Sequence, residues 1–148
     1  KRRLSLVGSS NEILIYDDYA HNPGKISSLL ASLKEAWPDR KLIAIFQGHR
    51  VSRVESLFSE FSKSFSEADL VFVPPIYCVG KERVSERVSS ENIAKNIELF
   101  SQTQAIPTSS FEQTIQEIRN SLSGKSIIVT VGAGDIWQLA EQLKEKIL

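Results

Sequence analysis

Both histidines of this sequence fall in short polar stretches that directly follow apolar runs, together with two arginines and three acids. Asp17-Asp18-Tyr19-Ala20-His21-Asn22-Pro23 follows Ile13-Leu14-Ile15-Tyr16, and Gln47-Gly48-His49-Arg50-Val51-Ser52-Arg53 follows Leu42-Ile43-Ala44-Ile45-Phe46. Pro74-Pro75-Ile76-Tyr77-Cys78-Val79-Gly80-Lys81 follows Leu70–Val73, and Gly132-Ala133-Gly134-Asp135 follows Ile127–Val131. Arg50 and Arg53 are three residues apart at the start of an apolar helical stripe, so they fall on one side of a first helical turn. Two cations there oppose the helix macrodipole. An anionic ligand gripped by bidentate hydrogen bonds explains them better than a solvated helix start. Gly132-Ala133-Gly134 either brings backbone N–H groups to an anion or makes a tight turn. It is no dinucleotide fingerprint, because the third glycine and the following acid are missing. Asp17 and Asp18 either accept from a ligand or cap a turn. The sequence has no Gly-x-x-x-x-Gly-Lys-Ser/Thr, no His/Cys pattern with zinc spacing and no nucleophile elbow. Cys78 reads as a small apolar loop residue.

The surrounding elements must position these groups. Ile26, Leu29, Leu30, Leu33 and Trp37 recur at helical spacing, as do Val54, Leu57, Phe58, Phe61 and Phe65. Phe111, Ile115, Ile118 and Leu122 form another stripe, Ile136, Leu139, Ala140, Leu143 and Ile147 another, and Ile93, Ile97 and Phe100 a shorter one. Each predicts one apolar helix face. Pro23 after Asn22 suits a first turn. Ser52-x-x-Glu55 and Ser109-x-x-Glu112 read as capping boxes, and Asp135 as a cap of the last helix. The apolar runs between helices are β-branched and short, which predicts strands covered on both faces. Leu4-Ser5-Leu6-Val7 alternates and predicts an edge strand; Ala105-Ile106-Pro107 is a weaker strand candidate.

The order predicts an α/β fold: an open, mostly parallel twisted sheet of Rossmann-like type, with helices on both faces and an antiparallel edge strand near the N-terminus. Ligands of such sheets bind beyond the C-terminal strand ends. Loops that follow neighbouring parallel strands meet there, so Arg50 and Arg53 are expected to face His21 across the sheet edge.

With 148 residues, 41% of them hydrophobic, the chain suits a single domain over 1–148 with a real core. Lys+Arg and Asp+Glu are both 18, which argues against a general nucleic-acid binder or an anionic-membrane binder. One cysteine allows no intrachain disulfide and fits a reducing, cytoplasmic setting. No apolar run approaches the roughly 20 residues of a membrane helix. Lys1-Arg2-Arg3-Leu4 lacks the apolar region of a signal peptide, and an abrupt start without Met leads us to expect a piece of a longer protein.

At this point the motifs resemble those of the Mur ligases, specifically the UDP-N-acetylmuramate–L-alanine ligases. Asp17–Pro23 is similar to their Asp-Asp-Tyr-Ala-His-His-Pro, and Phe46–Arg53 to Phe-Gln-Pro-His-Arg-Tyr-Ser-Arg. Gly132-Ala133-Gly134-Asp135-Ile136 matches Gly-Ala-Gly-Asp-Ile, Arg2-Arg3-Leu4 resembles Arg-Arg-Phe, and Tyr77–Gly80 resembles Tyr-Ala-Ala-Gly. The resemblance implies the C-terminal, amino-acid-binding domain of a three-domain enzyme whose N-terminal and central ATPase domains lie elsewhere. It implies ATP, Mg2+ (held mainly by the central domain), UDP-N-acetylmuramate and L-alanine as cofactors and partners. The muramyl carboxylate would be activated as an acyl phosphate and attacked by the alanine amine, by an enzyme of cell-wall synthesis. Carried over residue by residue, Arg3 would face the nucleotide phosphates and Asp18 the ribose. Tyr19, His21, Arg50 and Arg53 would hold the amino acid, and Gly132, Ala133 and Gly134 would form a substrate loop. No catalytic residue and no metal ligand is assigned in this chain. Gly48 replaces the family's proline, which is expected to loosen that loop, and Asn22 replaces its second histidine. Lys81 stands where the family has Glu after Gly80, putting the role of the 75–90 loop in question. Two other readings compete. A recycling ligase that adds a tripeptide to UDP-N-acetylmuramate would carry Phe-Glu-Pro-Arg-Ser-Asn-Thr after the third strand. A non-catalytic flavodoxin-like module would not need the arginines and histidines at one edge.

Overall fold

A computed structural model describes residues 4–148. The uninterrupted apolar runs form the centre of a six-stranded sheet, as runs covered on both faces should. Its strands are β1 (Ser5–Ser9), β2 (Ile13–Asp18), β3 (Lys41–Phe46), β4 (Leu70–Val73), β5 (Gln104–Pro107) and β6 (Ser126–Val131), in spatial order β1-β2-β6-β3-β4-β5. β1 is the edge strand expected from its alternation and pairs antiparallel with β2. All other pairings are parallel. The weak Ala105–Pro107 candidate is the opposite edge, beside β4. β2 and β3 are not neighbours, contrary to expectation: β6, the last strand in sequence, lies between them and pairs with both.

Helices cover both faces. α1 (Pro23–Ala36), α2 (Val51–Ser56), α3 (Phe58–Ser62) and α4 (Ser90–Ser101) lie on one side, where Ile26, Leu30, Leu33, Val54, Phe61, Phe65 and Ile97 pack on Leu42, Ala44, Phe46, Val71 and Val129. α5 (Phe111–Ser121) and α6 (Ile136–Ile147) cover the other, with Ile115, Ile118, Leu139 and Leu143 against Ile15, Ile43, Ile45, Phe72 and Ile128. Alternate residues of β3 thus serve the two cores, which follows from the period of two along a strand.

Local signals hold with instructive exceptions. Asn22 caps α1, its Oδ1 accepting the Lys25 N–H at 3.0 Å, and Pro23 opens the first turn. The cap of α5 is Ser110, one residue later than expected: its Oγ accepts the Gln113 N–H at 3.0 Å, while Gln113 Oε1 accepts from the N–H and hydroxyl of Ser109. Val54 to Phe65, expected as one stripe, is broken at Leu57, whose φ of −115° and ψ of 23° separate α2 from α3. Val54, Phe58, Phe61 and Phe65 are all buried nonetheless. Serines weaken the helix here, with the Ser62 and Ser64 hydroxyls donating back to the carbonyls of Phe58 and Glu60. Phe100 is 56% exposed, so the face of α4 is completed by Ala94 and Ser101 instead.

Candidate functional site

The loops after β2, β3, β4 and β6 meet at the C-terminal edge of the sheet. β6 ends between β2 and β3, so its loop must stay low for the flanking loops to face each other across it. Two glycines allow this. A Cβ on Gly132, whose φ is 156°, would lie 2.7 Å from the Gln47 carbonyl oxygen. A Cβ on Gly134 would lie 2.6 Å from Tyr77 Cγ and 2.8 Å from Gln47 Oε1. The Gly132 N–H donates to the Asp18 carbonyl at 3.2 Å, and the Gln47 N–H to the Val131 carbonyl at 3.1 Å. Gln47 is buried, and its Nε2 donates to Asp135 Oδ1 at 2.9 Å. Asp135 does occupy the N-cap position of α6, but its carboxylate makes no capping bond; this cross-link to Gln47 engages it instead.

The loops after β3 and β4 are joined more tightly. The Tyr77 N–H donates to the Gly48 carbonyl at 2.8 Å, and the Arg50 N–H to the Tyr77 carbonyl at 3.0 Å. The Tyr77 ring stacks on His49, with centroids 5.4 Å apart and planes inclined by 17°. Gly48 is therefore held rather than loosened: a Cβ there would meet Val54 Cγ2 at 2.9 Å and Ile76 Cγ1 at 3.1 Å. Arg50 has a φ of 69°, a region that costs a non-glycine residue free energy and that clusters at functional sites.

Ser52-x-x-Glu55 is not the cap of α2. Arg50 holds the N-cap position without a side-chain cap of its own. A carboxylate from the following loop takes that part: Glu82 Oε1 accepts the Val51 N–H at 3.0 Å and the Val79 N–H at 3.1 Å, and Oε2 the Ser52 N–H at 3.5 Å. Those backbone donors, chiefly Val51 and Val79, and the positive charge of Arg50 hold the Glu82 carboxyl below the usual range. The negative charge that the macrodipole argument sought at this helix end is thus supplied within the chain. Lys81 has not left the loop without an acid, since Glu82 follows it.

Around His49 the charge is positive. Burial lowers the pKa of its imidazole from the ordinary value of 6.5, and Arg53, His21 and Arg50 lower it further in that order, against an opposing pull from Glu82. The loops after β2 and β3 are thus close enough for His21 and both arginines to act on one ring. Nδ1 of His49 is buried without a hydrogen-bond partner, and among the described residues neither Arg50 nor Arg53 is in a salt bridge. His21 is tied to its own loop: its Nδ1 lies 3.2 Å from the Tyr19 carbonyl, and its ring meets Tyr19 edge-on at 5.3 Å. Asp18 Oδ1 accepts the Ala20 N–H at 2.7 Å, so the turn-capping role is real, and buried Asp17 accepts the Thr130 hydroxyl at 2.6 Å. Asp18, Tyr19, His21 and Asn22 line an open groove that continues along α1 past Lys25 and Ser28.

The structure therefore brings together His21, Arg50 and Arg53, with Tyr19 and Asp18 on the adjoining groove and Gly132, Ala133 and Gly134 between the two sides. Arg3 lies outside the described residues. Gln47, Tyr77 and Glu82 join the site without having been singled out. Their contacts cross from one loop to another, and no local spacing announces them. Among the described residues no group of three or more His, Cys, Asp or Glu side chains could hold a metal ion, and no helix is long and apolar enough to cross a membrane.

Residues 2–134 match the family described as Mur ligase, glutamate ligase domain. The chain belongs to the Mur ligase family. A relative of this Mur ligase chain, the UDP-N-acetylmuramate–L-alanine ligase of Desulforapulum autotrophicum, is 35% identical over 145 residues, covering 98% of the chain and 32% of the relative. The crystal structure of the UDP-N-acetylmuramate-alanine ligase of Thermotoga maritima superposes with a TM-score of 0.77 at 28% identity, over 98% of this chain and 29% of that one. A single domain from a putative UDP-N-acetylmuramate:L-alanyl-γ-D-glutamyl-meso-diaminopimelate ligase of Haemophilus ducreyi has the same fold, with a TM-score of 0.71 at 18% identity. It covers 99% of the Mur ligase chain and all of that solved chain. This Mur ligase chain spans about a third of the length of the curated relatives it matches.

Proposed function

We propose that residues 1–148 are the C-terminal, amino-acid-binding domain of a cytoplasmic ATP-dependent ligase that adds L-alanine to UDP-N-acetylmuramate. Its N-terminal and central domains would lie outside this chain. The observation that carries the reading is the convergence of His21, Arg50 and Arg53 on His49, which outweighs the opposing charge of Glu82, at the edge where such sheets bind ligands. Alanine offers a carboxylate and a methyl group beside its amine. Arg50 and Arg53 would grip the carboxylate, with Tyr19 and His21 closing the far side, so that the amine points out of the domain toward an activated carboxyl group. Holding a nucleophile in one orientation lowers a barrier by several kcal/mol without any covalent role for the residues that hold it. Asp18, on the adjoining groove, would accept hydrogen bonds from the nucleotide ribose, and Arg3 would face its phosphates. Mg2+ would neutralise charge on the nucleotide phosphates; the described residues offer it no cluster, so its ligands would belong to the central domain. His49-Arg50, together with the names of the relatives just given at 35% and 28% identity, favours alanine over a tripeptide as the added group.

The test is steady-state kinetics on the full-length protein. L-alanine should support phosphate release in the presence of UDP-N-acetylmuramate, and the tripeptide should not. Arg53→Ala, which removes one side of a charge-assisted grip, should cost about 2–5 kcal/mol, at least roughly 30-fold in kcat/KM for alanine. Arg53→Lys should rescue poorly because it lacks the planar fork. Normal alanine kinetics in Arg50→Ala and Arg53→Ala would remove these residues from the amino-acid site.

A further inference from the structure

We infer that Glu82 is the positioning residue of the amino-acid site, a clasp from the loop after β4 that fixes where Arg50 and Arg53 project. The inference rests on the role just proposed for the two arginines.

Val51 and Ser52, whose N–H groups the Glu82 carboxylate accepts, are the two residues that separate Arg50 from Arg53. The carboxylate therefore holds the backbone segment between the two arginines, and from outside the helix. Its third donor, the Val79 N–H at 3.1 Å, ties the same oxygen to its own loop, so the loop cannot shift without taking α2 with it. A second tie of the same kind runs from Ser85, whose hydroxyl donates to Glu55 Oε2 at 2.7 Å near the other end of α2. Arg50 needs such support. Its φ of 69° is unfavourable for a side chain with a Cβ, it has no side-chain cap of its own, and its N–H is anchored on the Tyr77 carbonyl of that loop, while its carbonyl accepts the Val54 N–H of α2. A six-residue helix with a strained N-cap residue has little internal means to hold two long cations in register. The clasp acts mainly by accepting hydrogen bonds. A neutral amide oxygen in the same place can still accept from Val51 and Val79, while removing the negative charge leaves the arginines a stronger field for a carboxylate ligand.

That distinction gives the experiment, performed on the full-length protein with Glu82→Ala and Glu82→Gln. Glu82→Ala should raise the KM for alanine at least tenfold while the KM values for ATP and the UDP-sugar stay within twofold of the unaltered protein. Glu82→Gln should stay within threefold of it for all three substrates. Hydrogen exchange at the Val51 and Val79 amides should quicken at least tenfold in the alanine variant and little in the glutamine one. An alanine KM within twofold in Glu82→Ala, an equal rise in the ATP KM, or a glutamine variant as impaired as the alanine one would overturn the inference. If the unaltered protein shows no alanine-dependent turnover, the substrate reading falls by itself. If Val51 and Val79 exchange equally in all three proteins, the clasp falls by itself.

Discussion

His49 shows how one ring integrates this site. Burial makes the charged imidazolium costly, and Arg53, His21 and Arg50 add repulsion that Glu82 only partly offsets. In an NMR titration of this chain His49 should therefore titrate below 6.5, and Arg53→Ala should move its midpoint upward. The folded ring binds its proton less tightly than the unfolded chain does. Its contribution to stability is complete above about pH 6.5 and is lost as the pH falls below that value, until the folded ring itself protonates. A midpoint at or above 6.5, or one indifferent to Arg53, would show that the charges do not converge. At this scale the residue types were legible but their partners were not. Arg50, Arg53 and His21 stood out because cations and rings on strand-end loops have few structural reasons to be there. Glu82 did not, because a carboxylate that caps a helix 30 residues away carries no local pattern.

Elements were read from periodicity, which reports burial rather than backbone continuity. The stripe through Val54, Phe58, Phe61 and Phe65 identified four buried positions yet concealed the break at Leu57. The cap of α5 is off by one residue because Ser109 and Ser110 compete, and that of α2 because the Glu82 carboxylate, from a loop about 30 residues on, takes the part. Gly48 is the sharper lesson. Read against a proline it suggested looseness, whereas Val54 and Ile76 close around it and the loop is pinned to Tyr77. Gly48→Ala should destabilise the chain by about 1–3 kcal/mol, because a methyl group 2.9 Å from Val54 Cγ2 forces a shift in a packed wall. Val54→Ala vacates that space. Urea denaturation of the double variant should then show a loss smaller than the sum of the single losses, by roughly 0.5–3 kcal/mol. Strict additivity would mean that some other contact sets the requirement for glycine.

For the whole molecule, the class of fold followed from composition and order, since β-branched runs alternating with amphipathic helices admit few arrangements. The strand order did not. A final strand that enters between β2 and β3 pairs residues more than a hundred positions apart, such as Asp17 with Thr130. This insertion shapes the site: it sets the loops of His21 and Arg50 on either side of a glycine loop instead of side by side. The resulting edge is open, with Tyr19, Tyr77 and Trp137 each about two-fifths exposed around it. Two cores, one on each face of the sheet, lead us to expect that the chain folds alone; a domain of the same fold has been solved as a separate chain. In the proposed reading the site would supply positioning groups, and among the described residues there is no candidate metal cluster. Positioning accelerates a reaction only when the activated partner is held opposite. The isolated chain should therefore unfold in a single cooperative transition by circular dichroism. Mixed with ATP, Mg2+, UDP-N-acetylmuramate and L-alanine, it should release no phosphate above the enzyme-free rate. Phosphate release that depends on alanine and is abolished by Arg53→Ala would place the full chemistry within these residues and overturn the division of labour proposed for them.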